Sequence, residues 1–308
     1  MPELPEVHTT ATGLARVARG KTILDVWTNL DSKDTRNTET HKNKNYFKTM
    51  RARLRGAKVL AVTRRAKNIL VELANGYTML IHLKMTGHLM YGKYIFDKKK
   101  NEWSVDPREK NDALRDPYNR FIRVVFSLSD GKHIAFSDSR KFGKIVVVPT
   151  REIHNSVHLS ALGPEPLDKK FTLAKFKTAI LRRPSAPLKA VLMDPSVIAG
   201  IGNIYSDEML WLAGIHPLSK PSKVPSEKMK LLFSSMQKVL KRGIDFGGDS
   251  MSDYRDIDGR PGKFQNKHNA YRLTGKTCKK PGCSGTIKRI IVGGRSGHYC
   301  DEHQKLFA

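Results

Sequence analysis

The apolar positions change period along the chain. Over residues 3–19, ELPEVHTTATGLARVAR, Val7, Ala11, Leu14 and Ala18 recur at helical spacing and Gly20 ends the pattern, which predicts one amphipathic helix. From residue 21 the period drops towards two. KTILDVWTNL, AKVLAVTRRA, NILVEL, YTMLIHLKM, RFIRVVFSL, KHIAFSD and KIVVVP read as strands, with ANG at 74–76 and SDG at 129–131 as turns. Two polar stretches, 31–46 and 97–117, have few apolar residues and no period, and are expected to be solvated loops, with lysines that touch a nucleic acid as the alternative. Beyond a Pro-rich joint at 162–168, LGPEPLD, the pattern becomes helical in FTLAKFKTAILRR, PLKAVLMD, YSDEMLWLAG and SEKMKLLFSSMQKVLKRGI. The last places Met229, Leu232, Phe233, Met236, Val239 and Leu240 on one core-facing stripe, with Ser226 as its cap. A Gly-rich segment, 247–264, leads into the final element. The fold class expected is α+β multidomain: a β-sandwich or barrel-like domain headed by one helix, then a helical domain.

Composition narrows the function. The 308 residues suffice for about two domains with real cores. No long apolar run and no signal-peptide core is present, so neither secretion nor a membrane span is expected. The net charge is +27, divided as +14 over residues 1–170 and +13 over 171–308. The excess is therefore no basic tail, and a polyanionic partner in touch with both halves, most simply nucleic acid, is expected. A membrane surface is the rival, but no basic amphipathic anchor is found.

The three cysteines are the sharpest chemical signal. Cys278, Cys283, Cys300 and His303 form C-x4-C-x16-C-x2-H, two ligand pairs separated by the length of a β-hairpin. Thiolates and imidazole suit a tetrahedral, structural Zn²⁺. A disulfide reading leaves one cysteine over. His298 competes with His303 as the fourth ligand, at a poorer spacing. Between the pairs, IKRIIVGGRSGHY reads as a hairpin with Gly293 and Gly294 near the turn and Arg295 at or beside the tip, a probe for a phosphate or the minor groove.

Other stretches have a bland and a chemical reading each. MPELPE is an ordinary helix start with Pro in its first turn. Alternatively, removal of Met1 makes Pro2 a secondary amine, with a reference pKa of ~7.7–8.0 against lysine's ~10.4, and Glu3 its acid/base. AGIGNIYSDEML sets Gly200 and Gly202 before a helix, where backbone N–H groups and Asn203 can hold a phosphate, or merely allow tight packing. HLKMTG and DSRKFGK each end a strand. Met85, Arg140 and Phe142 there are either core residues or wedges that fill the gap left by an everted base. Lys67, in RRAKNIL, is read as an outward-facing strand lysine or, in a cleft, a phosphate partner or an acid near the N-terminus.

In order, MPELPEV, RRAK, HLKMTG, DSRKFG, LGPEPL, GIGNIYSDE, GGDSMSDY and the Cys/His hairpin resemble the formamidopyrimidine-DNA glycosylase / endonuclease VIII family of base-excision repair. The resemblance spans nearly the whole chain. It implies a catalytic sandwich domain (1–160), a helix–two-turn–helix domain with a lesion-covering segment (161–265) and a zinc hairpin (266–308), with DNA in the basic cleft. It implies Pro2 as nucleophile on C1′, Glu3 as acid/base and Lys67 as an assisting phosphate contact. Met85, Arg140 and Phe142 would fill the void, and Asn203 and Arg295 would grip phosphates. Lys189 would be a further DNA contact, Glu6 a further site residue, and Tyr254 would lie in the covering segment. One structural Zn²⁺, damaged duplex DNA as partner, a monomer and a cytoplasmic, nucleoid-associated location are expected. PELPE and the long Gly-containing segment resemble the oxidised-purine branch; oxidised pyrimidines are the alternative. Three features depart from the family pattern: His as fourth ligand, the wide first Cys pair, and the long insertions at 31–46 and 97–117. A DNA-binding module without catalysis and an N-terminal-proline enzyme for small molecules are the rivals from other classes.

Overall fold

The computed structural model describes residues 1–32 and 38–308. They form two compact units: residues 1–160 with 246–263, and residues 161–245 with 264–308. The Gly-rich segment, assigned from sequence to the helical half, thus packs within the first unit.

The first unit opens with α1 (Leu4–Ala18) and β1 (Ile23–Thr28). It continues through α2 (Lys44–Leu54), β2 (Val59–Arg65), β3 (Asn68–Leu73), β4 (Tyr77–His82), β5 (His88–Gly92), β6 (Tyr94–Asp97), β7 (Glu102–Val105), β8 (Ile122–Leu128), β9 (His133–Ser137) and β10 (Lys144–Pro149). Two four-stranded antiparallel sheets, β1-β8-β9-β5 and β10-β4-β3-β2, enclose one apolar core. The apolar stripe of α1, Val7, Ala11, Leu14 and Ala18, is buried in that core as its period requires. Gly13 stands against Ile257, and a Cβ on it would come within 2.5 Å of that side chain. This close approach lets the 246–263 segment lie on α1, where Ile257 also accepts a backbone hydrogen bond from Tyr91 (2.8 Å).

Both polar stretches carry more structure than expected. Thr40 and His41 are buried, and His41 exchanges hydrogen bonds with Ile145, N–H to carbonyl and Ile145 N–H to the imidazole Nδ1 (both 3.1 Å). Helix α2 follows, capped by Asn43, whose side chain accepts from the Tyr46 N–H (3.0 Å), and it buries Met50 and Leu54. Basic residues interleaved among those apolar ones hid its period. Residues 33–37 of the first stretch lie outside the described residues. The second stretch contains β7 and one single-turn helix, with another starting at its last residue, and buries Leu114. Its Asn111, Asp116 and Asn119 neighbour hold the 246–263 segment: Asn111 and Asn119 donate to the carbonyls of Asp258 (2.8 Å) and Gly259 (3.2 Å), and Asp116 pairs with Arg255 (3.1 Å).

The second unit contains α3 (Leu173–Ile180), α4 (Leu188–Met193), α5 (Asn203–Ala213), α6 (Ser226–Asp245) and the hairpin β11 (Ile287–Val292) and β12 (Arg295–Cys300). Two turns between α4 and α5 complete a helix–two-turn–helix. The α6 stripe is core, as expected, with Phe233 stacking edge-on and tilted against Phe171 and Phe176. Ser226 begins α6, and its hydroxyl accepts from Lys177 Nζ (2.7 Å).

Candidate active site and DNA-contact residues

In the first unit, α1 presents the chain start. Met1 is exposed, while Pro2 and Glu3 are buried. Glu3 is the N-cap, in extended backbone. Three residues on, the Glu6 carboxylate turns back: Oε2 accepts the Glu3 N–H (2.7 Å) and Oε1 the Asp249 N–H (2.7 Å). One buried carboxylate thus fixes both the helix start and the 246–263 segment, as a capping-box acid does. Thr10 and Tyr254 hydroxyls both donate to the Glu6 carbonyl (2.9 and 3.0 Å). Burial pushes the Tyr254 phenol well above its ordinary pKa, so it stays a neutral donor. Tyr254 therefore faces the root of α1. Gly248 (φ +86°) makes this crossing possible, since a Cβ there would lie 2.8 Å from Glu6 Cγ.

Met1 also lines an open groove of about 760 Å³ with Asn29, Leu30, Lys42, Met85, Arg140 and Phe142, among others. Three of the residues expected to enter the DNA stack therefore meet beside the chain start. Met85 sits on the turn after β4, Arg140 and Phe142 on the turn after β9. The Arg140 guanidinium lies over the Phe142 ring at 4.8 Å, and Phe142 is 48% exposed. The two turns are tied by Asp138, a residue the sequence reading missed. Its buried carboxylate accepts from the Thr86 hydroxyl and from the Gly143 N–H (2.7 Å), while Thr86 Oγ1 accepts the Arg140 N–H (3.2 Å). Its signal was an acid and a threonine inside the two strand-end motifs, indistinguishable from turn residues without the pairing. Lys67 is not within a strand: it occupies the two-residue turn joining β2 and β3, after Ala66 at φ +54°.

In the second unit, Asn203 is the first residue of α5, after Gly202 as N-cap and Gly200 at φ +89°. Lys189, expected at the DNA, is fully buried. Its Nζ pairs with Asp207 (2.6 Å) and donates to Ser206 Oγ (2.9 Å) and the Asn203 carbonyl (3.2 Å). An ammonium so enclosed cannot reach a phosphate without breaking a buried ion pair. Asp207 Oδ2 in turn accepts the His298 N–H (3.0 Å) and faces His298 Nδ1 (2.9 Å). The next residue, Glu208, accepts the backbone N–H groups of Asn269, Ala270 and Tyr271 at 2.9–3.0 Å. The acids of the GIGNIYSDE motif thus dock the terminal hairpin on α5. Gly293 (φ +56°) and Gly294 (φ +73°) form its two-residue turn, and Arg295, paired with Val292, closes it in an exposed position.

Cys278, Cys283, Cys300 and His303 gather with all ligand atoms within 4.8 Å of one another, a set that could hold a metal ion. Cys278 Sγ lies 3.3 Å from His303 Nδ1 and Cys283 Sγ 3.6 Å from Cys300 Sγ. Ligands at 2.0–2.3 Å in a tetrahedron stand roughly 3.5–3.8 Å apart, so the four fit. His303 Nε2 faces the Trp211 carbonyl (3.0 Å), which fixes the tautomer and leaves Nδ1 for the cluster. His298, engaged with Asp207, is excluded as a ligand. No helix among the described residues is long and apolar enough to cross a membrane.

Comparison with known proteins gives the class. Residues 1–145 match the model of the formamidopyrimidine-DNA glycosylase N-terminal domain, and residues 162–255 match that of its H2TH domain. The architecture is therefore that of a DNA glycosylase of base-excision repair. A formamidopyrimidine-DNA glycosylase of Roseobacter denitrificans is 35% identical over 305 residues, covering 99% of this chain and 100% of the relative, and one of Pediococcus pentosaceus is 35% identical over 306, with the same coverage. The chain belongs to the formamidopyrimidine-DNA glycosylase family. Among solved structures, a complex of the Lactococcus lactis enzyme with abasic-site DNA superposes with a TM-score of 0.80 at 27% identity, covering 98% of this chain and 99% of that one. A complex of the same enzyme with N7-benzyl-Fapy-dG DNA also gives 0.80 at 27%, covering 99% and 100%.

Proposed function

We propose that the protein removes oxidised purines, 8-oxoguanine and formamidopyrimidines, from duplex DNA and then cuts the strand, using Pro2 as nucleophile. The observation that carries this reading is the buried Pro2–Glu3 start of α1, locked by Glu6 and set beside a groove shared by Met85, Arg140 and Phe142. Removal of Met1 is required, because an amide nitrogen cannot attack. The Pro2 nitrogen bonds to C1′ as the glycosidic bond breaks and the base leaves. The nitrogen loses its proton, Glu3 delivers a proton to O4′, the sugar ring opens and an iminium forms. That iminium acidifies the C2′ proton; its loss expels the 3′ phosphate, and a second elimination expels the 5′ phosphate. Lys67 contacts the neighbouring phosphate. Arg140 faces the orphaned base while Met85 and Phe142 fill the gap.

Asn203 and Arg295 grip phosphates from the second unit, whose hairpin is held by one structural Zn²⁺ on Cys278, Cys283, Cys300 and His303. The metal supplies cross-linking, not chemistry. The 246–263 segment covers the everted base, while the side chain of Tyr254 braces α1. The protein acts as a monomer in the nucleoid-bearing cytoplasm.

The test is borohydride trapping on N-terminally verified protein, with 8-oxoguanine opposite cytosine. A covalent adduct mapped to Pro2 is expected, and Pro2→Gly should bind DNA while losing most of the adduct. An adduct on a lysine instead, or full activity in Pro2→Gly, overturns the assigned nucleophile. Adducts with oxidised pyrimidines alone would move the substrate to that class.

A further inference from the structure

The β6–β7 hairpin is an addition to the sandwich that the site described above does not use. Its four-residue loop reads Lys98-Lys99-Lys100-Asn101, and all four residues are exposed. The loop is a defined turn. Asp97 Oδ1 accepts the N–H groups of Lys99 (2.9 Å) and Lys100 (3.2 Å), and Asn101 adopts a left-handed conformation (φ +52°). The arm is anchored by rings: Phe96 and Trp103 pack together at 5.3 Å, and Trp27 of β1 meets them at 5.8 and 6.5 Å. Trp103 also meets His133 at 4.9 Å.

The anchor sets where the tip lies. Trp27 Nε1 donates to Asn101 Oδ1 (3.3 Å). Two residues beyond Trp27, Asn29 begins the rim of the groove that holds Met85, Arg140 and Phe142. At about 3.3 Å per residue, the backbone of Trp27 stands about 7 Å from that of Asn29. β5 and β1 are the two edge strands of their sheet, so the hairpin that follows β5 crosses to meet β1 at Trp27.

We propose that this hairpin is a second DNA-binding arm, whose lysines Lys98, Lys99 and Lys100 hold duplex phosphates outside the lesion site. Three adjacent ammonium groups on a braced turn repel one another; the phosphates of a DNA strand neutralise that repulsion, and the cations condensed on the DNA are released. A merely solvated charge run has no use for an aromatic anchor or a fixed direction. The proposal rests on the reading of the protein as a duplex-DNA enzyme.

The test compares wild type with the triple variant Lys98→Gln/Lys99→Gln/Lys100→Gln. Affinity for duplexes bearing a tetrahydrofuran abasic analogue is measured at about 10 base pairs, one helical turn, and about 30, from about 50 to 200 mM NaCl. On the long duplex the slope of log affinity against log salt should shrink by about 0.9 for each lysine engaged, up to about 2.7. Wild type should then lose about 3- to 40-fold more affinity than the variant across that range, with a smaller difference on the short duplex. Equal slopes on the long duplex, with wild type binding tightly, overturn the arm alone. Equal losses on both lengths place the lysines within the central turn and also overturn it. Wild type that binds neither duplex at low salt overturns the functional reading and the arm with it.

Discussion

At the scale of single residues, buried acids hold the elements of the site together. Glu6 holds the Glu3 and Asp249 N–H groups, and Gly248 leaves room for it. Gly248→Ala combines a positive φ with a Cβ pressed on Glu6, and should cost about 1–3 kcal/mol. Urea unfolding will check this, and a drop in borohydride trapping at temperatures where the variant remains folded is expected. Two buried histidines predict the acid response. Burial lowers His41 to about 3 and His88 to about 4. The unfolded chain, with pKa near 6.5, therefore binds more protons as pH falls. Their contribution to stability is complete above about 6.5 and is lost on acidification towards about 3–4, with a limiting slope of about 1.4 kcal/mol per pH unit for each. Chemical denaturation between pH 7 and 4.5 should show that loss, and His41→Gln should flatten it.

At the scale of elements, α5 is the organiser of the second unit. Asp207 and Glu208, adjacent in sequence, pin the two ends of the hairpin region, while Lys189 on α4 neutralises Asp207 and holds the Asn203 carbonyl. Truncating one partner of such a buried pair strands the other. Lys189→Ala should destabilise by about 3–5 kcal/mol, and Lys189→Met/Asp207→Asn should recover part of it. A Lys189 variant that keeps wild-type stability in thermal unfolding but loses DNA affinity would restore the contact role.

At the scale of the whole molecule, the Cys/His cluster and the net charge are the two global terms. The Cys/His cluster shares a small apolar cluster with Trp211, Ala270 and Ile287, too few residues to hold the hairpin by burial alone. Chelation or Cys300→Ser should unfold β11–β12, remove Arg295 from use and weaken DNA binding at least tenfold, read by near-ultraviolet dichroism and affinity together. Unchanged binding in metal-free protein would show that the hairpin does not need the ion. The net charge of +27 makes affinity fall steeply with salt for any duplex, so lesion preference should be compared at one ionic strength.

The sequence by itself determined the elements with a clean period and the residues with a unique chemistry. The α1 and α6 stripes, most sandwich strands, the glycine turn before Arg295 and the Cys3His set were all legible, because local sterics and ligand type dictate them. Helix α2 was hidden because basic residues interrupt its apolar positions, and β5, β6 and β7 because strands of four or five residues are too short to show a period. Only the tertiary structure decided what a polar residue does. Lys189 and Arg140 look alike in sequence, yet one is sealed against Asp207 and the other stands in the groove. Asp138, Asp207 and Glu208 found their partners across many intervening residues. A buried charge is satisfied by whichever donor the packing brings to it, and that choice is made by long-range contacts rather than by neighbours along the chain.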